Sequence, residues 1–165
     1  MNVARNVITV FTVLAWALWM GGFTFYTAVT LRVAHKVLDD SRNFGFVTQM
    51  VTERLNLIGL VTVCLLALHL FCHGREFSRV KLMVMMTTLL TLAVTLGLQF
   101  NLHHQIDLLL DTQARVVRND AAFRLLHNRY ELVATIQWFV GIVHLILLLV
   151  GPRQSPLSTP VEINQ

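Results

Sequence analysis

The stretch NVITVFTVLAWALWMGGFTFYTAVTL, residues Asn6–Leu31, determines the fold class of this chain. Its 26 residues lie between Arg5 and Arg32 and include no acidic or basic side chain. An α-helix rises about 1.5 Å per residue, so roughly 20 apolar residues cross a hydrocarbon core about 30 Å thick. The stretch therefore predicts a transmembrane helix. Since a cleaved signal has an apolar core of only about 7–15 residues, we expect this helix to be retained.

Three further windows without Asp, Glu, Lys or Arg follow at similar lengths. They are Leu55–Gly74, Leu82–Ile106 and Leu132–Pro152, of 20, 25 and 21 residues. Each is long enough to span a bilayer. The sequence thus predicts an all-α fold, a four-transmembrane-helix antiparallel bundle that forms one membrane domain over residues 1–150. The predicted spans are residues 7–31, 55–73, 82–102 and 132–150.

The amino-acid composition is that of a membrane protein rather than a soluble domain. Hydrophobic residues make up 55% of the 165 residues and charged residues 13%, whereas charged residues are about a quarter of an average soluble domain. The formal net charge is +4. The basic residues lie mostly beside the apolar windows, as is typical of topology signals and of contacts with anionic headgroups. We therefore expect the lipid bilayer as a partner and no nucleic acid.

The four predicted spans place both termini on one side of the membrane and the connections 32–54 and 103–131 on the other. These connections carry eight Lys and Arg residues, against five on the side of the termini. An excess of basic residues marks cytoplasmic loops, so the sequence favours a cytoplasmic location for both connections.

The second of these connections is predicted to be largely helical. Residues 103–117, HHQIDLLLDTQARVV, keep apolar residues at helical spacing and predict that the third span continues beyond the membrane. Asn119-Asp120 predicts a break and the cap of a fourth helix that begins near Ala121, which would complete a protruding hairpin. Residues 151–165 contain all three prolines and predict a flexible tail.

Polar side chains recur on one face of each predicted span when residues are placed at intervals of about 100°. Unpaired polar groups are costly in lipid, so we predict that these faces turn inward. Two interpretations are open: helix-packing contacts, or a pathway for a polar solute or proton. The lack of Asp, Glu, Lys or Arg within the windows favours helix-packing contacts. We call this set the polar seam: Thr9, Thr12, Trp16, Thr27, Thr30, Gly59, Thr62, His69, His73, Thr87, Thr88, Thr91, Thr95, Gln99, Gln137, Gly141 and His144.

Two seam histidines, His69 and His144, are predicted at similar depth on inward faces, near the side of the termini. Two facing imidazoles suit haem b, and imidazole with thioether ligands suits copper. The candidate metal ligands at this end are His69, His73, Cys72, Met83 and Met86. The alternative is that the histidines are hydrogen-bonded interior residues and the methionines fill packing gaps. No ligand-spacing motif decides between these interpretations.

A second group of histidines is predicted near the opposite membrane interface. Its members could recognise an anionic headgroup or the acidic face of a partner, or they could simply anchor the helices at the headgroups. The residues of this predicted surface are Arg32, His35, His103, His104 and Arg129.

Three short motifs resemble a known family. They are Trp19-x-Gly21 in the first span, FGFVTQMVTERL from residue 44, and FRLLHNRYELV from residue 123. They resemble the small four-helix membrane proteins typified by animal transmembrane protein 205, grouped in bacteria as a DUF4149-like domain. The resemblance implies a four-span bundle of the bacterial inner membrane with no established catalytic activity. Its signature positions would be Trp19, Gly21, Phe123, Arg124 and His127.

Two other families share parts of the first span. The segment Trp19-Met20-Gly21-Gly22 is similar to the first helix of the membrane-bound protoporphyrinogen oxidase, but that family carries a histidine where this chain has Thr12. Copper-resistance membrane proteins of the CopD type share a Trp- and Gly-rich helix and would offer more histidine and methionine ligands.

No sequence pattern indicates a catalytic site, because the Asp and Glu residues lie outside the apolar windows and without a partnered nucleophile. The leading prediction is an accessory or transport-related membrane bundle that is not an enzyme. The alternatives are a small haem b or copper protein for electron transfer, and a subunit of a larger membrane complex or homo-oligomer.

Overall fold

Five α-helices account for most of the computed structural model, which describes residues 3–37, 41–111 and 116–150. A π-helical turn, Tyr26–Thr30, follows the first helix, and a 3₁₀ turn, Gly74–Glu76, follows the third. The side chains of residues 35, 41–46, 111 and 116 lie outside the description, as does the tail predicted for residues 151–165. The helices are α1 (Val3–Phe25), α2 (Leu31–Val37), α3 (Ser41–His73), α4 (Arg79–Leu108) and α5 (Asp120–Leu149).

Four helical segments of the described chain are long and apolar enough to cross a membrane. They run Val3–Ala34, Val47–Glu76, Arg79–Leu108 and Asp120–Leu149, with lengths of 30 to 32 residues. A helix of this length extends about 45 Å, which exceeds a hydrocarbon core of about 30 Å. The helical fold and the four apolar spans are thus confirmed, and they fit a multi-pass integral membrane protein.

Apolar side chains cover the outside of these helices, and polar side chains lie inside. Phe71 is 87% exposed and Leu90 65%, whereas Thr12, Thr62 and His144 are fully buried. The most buried side chains of soluble domains are mainly apolar, because water favours a polar surface. The observed distribution suits an outer surface in contact with lipid chains.

The helices pack mainly as two pairs, α1 with α3 and α4 with α5, while α1 and α5 touch much less. Trp19 covers Gly59 so closely that a Cβ atom built at Gly59 would lie 2.5 Å from the indole. Met20 covers Gly141 in the same way, with 2.8 Å from such a Cβ atom to the Met20 methyl carbon. Small residues allow this close approach of membrane helices. The buried apolar core consists of Trp19, Met20, Leu66, Leu92 and Leu96.

A π-helical turn interrupts the first span at Tyr26–Thr30. The Leu31 amide donates to the Tyr26 carbonyl five residues earlier, a pattern that inserts one residue into the helical ladder. The faces of the residues in and after the turn are therefore rotated relative to α1. Thr27, predicted to share the inward face of Thr12, is exposed, and its hydroxyl donates to the Phe23 carbonyl at 3.0 Å. The inward prediction for Thr27 is wrong for this reason.

The described residues of the connection between α4 and α5 are helical only at its two ends. α4 ends at Leu108, and β1 (Leu110–Asp111) pairs in antiparallel fashion with β2 (Val116–Val117). The prediction of a continuous helix over residues 103–117 is therefore wrong beyond Leu108. β-Branched valines favour an extended backbone, which explains the difference.

The start of α5 agrees with the prediction made from the sequence. Asn119 has an extended backbone, and its side chain accepts a hydrogen bond from the Ala122 amide at 3.1 Å. A side-chain oxygen at this position satisfies one of the unpaired amides of the first helical turn. The predicted break and cap at Asn119-Asp120 are confirmed, and the helix begins one residue before Ala121.

Candidate functional site

The threonines of the polar seam are satisfied largely within their own helices. The hydroxyls of Thr12, Thr62 and Thr95 each donate at 2.8 Å to the carbonyl four residues earlier. Thr62 also approaches the Ala15 carbonyl across the contact of α1 with α3, at 3.2 Å. All three threonines are buried. This part of the seam is a packed interior, which favours the helix-packing interpretation over a pathway.

Other seam residues make hydrogen bonds between helices. Gln137 on α5 donates through Nε2 to the Thr95 hydroxyl on α4 at 3.3 Å, and Trp16 on α1 donates through Nε1 to the Gly141 carbonyl at 3.2 Å. Gln137 and Gly141 are buried, so their predicted inward orientation is confirmed. Thr87 was also predicted to face inward and is exposed, since it lies at the edge of the polar stripe of α4.

His144 on α5 is held by one threonine and leaves one ring nitrogen unpaired. Its Nδ1 lies 2.7 Å from the Thr88 hydroxyl, which itself lies 3.0 Å from the Val84 carbonyl oxygen. The same hydroxyl lies 3.0 Å from the Met85 carbonyl oxygen. Nε2 of this fully buried ring has no hydrogen-bond partner among the described residues.

His69 on α3 repeats this arrangement. Its Nδ1 lies 3.4 Å from the Thr9 hydroxyl, which donates to the Arg5 carbonyl at 3.1 Å. His73 stacks on His69 with 4.2 Å between ring centroids, and its Nδ1 lies 3.1 Å from the His69 carbonyl oxygen. We call His69, His73 and His144 the histidine layer.

The remaining predicted metal ligands are not assembled with these histidines. Met83 and Met86 are 69% and 55% exposed, whereas Met85 between them is fully buried. Cys72 is partly buried and, like Cys64, is not in a disulfide. Within residues 3–37, 41–111 and 116–150, no group of three His, Cys, Asp or Glu side chains is placed to hold a metal ion. The structure thus groups the histidines of the predicted site without its methionines.

Charged side chains tie the helix ends together beside the histidine layer. Arg5, at the start of α1, forms an ion pair with Glu76 after α3, at 2.6 Å. Lys81, at the start of α4, donates to the Val150 carbonyl at the end of α5 and lies 4.2 Å from the centroid of the Phe77 ring. These contacts fix the four helix ends at this side of the protein.

At the other side, His103 belongs to a network between α3 and α4. Its Nδ1 lies 3.0 Å from Asp107 Oδ2, and its Nε2 lies 3.2 Å from the Gln49 carbonyl oxygen. Gln49 also donates through Nε2 to Asp107 Oδ1 at 2.6 Å. Both ring nitrogens thus face oxygen atoms, and the ring connects the two helices.

The other residues predicted for a headgroup or partner surface do not join this network. Arg32, His104 and Arg129 are exposed, and the His35 side chain lies outside the described residues. The structure therefore separates His103, which connects helices, from exposed basic residues that are available to solvent or headgroups.

The signature residues of the family resemblance have different surroundings. Trp19 is buried in the core, but Gly21 has open space where a Cβ atom would be, so packing does not require a glycine there. Phe123 stacks on His127 with 5.9 Å between ring centroids, and Arg124 is exposed. Only Trp19 among these residues holds the helix core together.

A cavity of about 580 Å³ lies between the end of the first span, α3 and α5. Pockets that bind small molecules commonly measure about 300–1,000 Å³ and have mainly apolar walls. The cavity adjoins the π-helical turn, where α1 and α5 have little contact. Its lining residues are Phe23, Thr24, Tyr26, Thr27, Leu31, Thr48, Thr52, His127, Tyr130, Glu131, Ala134, Thr135, Trp138 and Phe139.

Hydrogen bonds fix the polar groups of the cavity wall. The Tyr130 hydroxyl donates to Asn56 Oδ1 at 3.2 Å, and both residues are buried. Trp138 donates through Nε1 to the Thr24 hydroxyl at 2.9 Å, which links α5 to α1 across the cavity. At the rim, His127 Nε2 lies 3.1 Å from Glu131 Oε1.

The sequence analysis did not identify this cavity. Part of its polar wall was nevertheless visible as a pattern, because Thr48, Thr52 and Asn56 follow one another at spacings of four on α3. The two threonines line the cavity, and Asn56 accepts from the lining residue Tyr130. The space itself depends on how α1 and α5 diverge, and helical periodicity carries no information on that divergence.

Comparison of the chain with protein-family models, with curated proteins and with solved structures gives no match. The resemblance to the DUF4149-like proteins stays a prediction. The function must accordingly be argued from the geometry of the cavity and of the histidine layer.

Proposed function

We propose that the chain is a transport-related or accessory membrane protein, and that the cavity between the first span, α3 and α5 holds the molecule on which it acts. The cavity is the observation that carries this proposal. Its volume suits a small molecule, and its walls combine aromatic rings with a few fixed hydroxyls.

The polar seam supports this role less well. Its buried threonines already donate to carbonyls of their own helices, and the nearly fully buried Leu66 and Leu92 occupy the same core. A solute crossing through the bundle would have to displace these packed side chains. A molecule that enters the cavity would leave these side chains in place, because the cavity lies beside this core.

The proposal includes an antiparallel bundle, with residues 32–54 and 103–131 on the cytoplasmic side and α4 and α5 protruding there as a hairpin. The paired residues support this arrangement. Thr9 near the start of α1 meets His69 near the end of α3, and Thr88 near the start of α4 meets His144 near the end of α5.

Cysteine labelling tests the topology. In a Cys64→Ser, Cys72→Ser background, His104→Cys and Arg75→Cys each place one thiol at an exposed position, at opposite ends of the helices. A membrane-impermeant maleimide applied to intact cells should label Arg75→Cys only, and lysis should expose His104→Cys. Labelling of both from the outside would contradict the antiparallel bundle, and the reverse pattern would contradict the orientation alone.

Native mass spectrometry tests the cavity. Protein extracted from its host membrane should retain a lipid-soluble molecule, and Thr135→Trp should release it because an indole at this exposed lining position occupies the cavity. Ala93→Trp places the same indole on the lipid-facing side of α4 and should leave retention unchanged. Equal retention by wild type and Thr135→Trp, or no retained molecule in wild type, would overturn the proposal.

One observation favours a second candidate, a haem b or copper protein for electron transfer. His69 and His144 both have Nδ1 beside a threonine hydroxyl, which in turn donates to a helix carbonyl. Metal-bound histidines are commonly held in this way through the second ring nitrogen. The buried, unpartnered Nε2 of His144 fits such a ligand. His69 and His144 would hold the group, which would supply one-electron redox chemistry when bound.

An absorption spectrum and elemental analysis test this candidate. Protein from haem- and copper-replete cells should show a Soret band or bound copper, which His144→Ala and His69→Ala should abolish. His104→Ala, which alters an exposed histidine at the other end of α4, should keep it. Colourless, copper-free wild-type protein would exclude both forms of this function.

A further inference from the structure

We infer that the cavity selects lipophilic cations, molecules with an apolar body and a permanent positive charge. This inference rests on the proposed function and adds the class of ligand. It is carried by the aromatic walls of the cavity together with one carboxylate, the only one among the lining residues that the structure describes.

Five aromatic side chains line the cavity on more than one helix. Phe23 and Tyr26 come from the first span, and Tyr130, Trp138 and Phe139 from α5. Trp138 and Phe139 meet edge to face with 5.1 Å between ring centroids. Aromatic faces attract cations, and the attraction grows where water is excluded. The walls therefore offer both apolar contact and a site for positive charge.

Glu131 supplies the only acidic side chain among the described residues that line the cavity. Its Oε1 atom lies 3.1 Å from Nε2 of His127, and a carboxylate can only accept in this contact. The Glu131 side chain is 63% exposed, so it remains accessible at the rim. An amphiphile can thus place its cationic group beside Glu131 and its apolar body between the rings.

Positive groups do not oppose this arrangement from within the cavity. None of the lining residues that the structure describes is Lys or Arg. Arg124, about two turns before Glu131 on α5, is exposed, and its Nε lies 3.4 Å from the Asp120 carbonyl oxygen, away from the lining set. The described lining residues thus include one carboxylate and no Lys or Arg, which favours a cation over an anion of the same shape.

Tetraphenylphosphonium and tetraphenylborate test the inference, because they have similar size and shape and opposite charge. Binding to the full-length protein in a neutral detergent is measured by isothermal titration calorimetry. We expect the phosphonium ion to bind more tightly than the borate ion. Glu131→Gln should weaken binding of the phosphonium ion by up to about fivefold, the scale of an exposed ion pair. Glu53→Gln, at an exposed carboxylate on α3 outside the cavity, should leave its affinity unchanged.

The Thr135→Trp variant distinguishes two ways in which the inference can be wrong. Either the cavity binds molecules of another class, or the cavity is not the binding site. If Thr135→Trp weakens both ions while Glu131→Gln changes neither, the cavity binds lipophilic molecules without selecting cations, and the inference is wrong while the proposed function stands. If the borate ion binds wild type as tightly as the phosphonium ion, the inference is likewise wrong. If the phosphonium ion fails to bind, or binds wild type and Thr135→Trp equally, the cavity is not its site.

Discussion

The Nδ1 atom of His144 lies 2.7 Å from the hydroxyl oxygen of Thr88, in a part of the protein where both helices are buried against each other. The Thr88 hydroxyl also lies 3.0 Å from the Val84 carbonyl oxygen. Thr88 is thus the hydrogen-bond partner of a fully buried imidazole whose Nε2 atom has no partner among the described residues.

Replacing Thr88 by valine should destabilise the protein. The variant keeps the shape of the side chain but leaves Nδ1 of His144 unpaired, at a cost of about 1–3 kcal/mol for a buried polar group. The midpoint of thermal unfolding in detergent should therefore fall. Thr91→Val is the matched control on the same helix, since the Thr91 hydroxyl donates only to the Thr87 carbonyl. An equal fall of the unfolding midpoint in both variants would show that the contact with His144 does not contribute to stability.

Replacing Gly59 by alanine should disrupt the contact of α3 with α1. The new Cβ atom would lie 2.5 Å from the Trp19 ring, and the rigid indole must shift. Overpacking of this kind costs about 1–3 kcal/mol, more than the helix propensity gained by replacing glycine. Thermal unfolding and Trp fluorescence should both report the change.

Gly21→Ala is the control for Gly59, because open space surrounds its Cβ position. This substitution should leave stability unchanged or raise it by up to about 1 kcal/mol through helix propensity. A larger loss at Gly21 than at Gly59 would contradict the packing described for Trp19.

Removing one partner of the Tyr130–Asn56 hydrogen bond should destabilise the protein more than replacing both partners by apolar residues. Tyr130→Phe leaves Asn56 Oδ1 buried without its donor and should cost about 1–3 kcal/mol. The double variant Tyr130→Phe, Asn56→Leu replaces both partners by apolar groups and should recover part of this loss. A double-mutant cycle of thermal stabilities measures the coupling. Strictly additive losses would show that the two side chains act independently.

Replacing Asn119 by alanine should loosen the start of α5. The Ala122 amide loses its side-chain acceptor, and loss of such a cap costs about 0.5–2 kcal/mol. Asn119→Asp keeps the acceptor and should restore stability. Hydrogen exchange of the first turn of α5 provides a local readout, and unchanged exchange in Asn119→Ala would exclude a capping role.

Helical periodicity predicted most of this interior because the threonines, Gln137 and His144 lie on straight helices, where 100° per residue holds. It failed at Thr27 because a π-helical turn changes the phase of the helix after Phe25. It also failed beyond Leu108, where paired extended segments replace the helix. The π-helical turn depends on backbone hydrogen bonding, and the paired segments beyond Leu108 depend on contacts between separate stretches of the chain. The periodicity of a single helix predicts neither.

The candidate sites were likewise predicted only in part. His69 and His144 were predicted as inward-facing, and both are buried. The threonine partners of their Nδ1 atoms were part of the same predicted faces, but which threonine meets which histidine depends on the relative height of two helices. The cavity was not predicted at all, because it forms where Tyr26, Tyr130 and Trp138 meet across helices that diverge.

The self-satisfied threonines have a consequence for biogenesis. Because Thr12, Thr62 and Thr95 donate to their own helices, each span can leave the translocon and enter lipid without waiting for a neighbour. The Gln137 amide and the His144 ring are different, since their described partners lie on α4. These two side chains therefore gain their described partners only when α5 packs against α4.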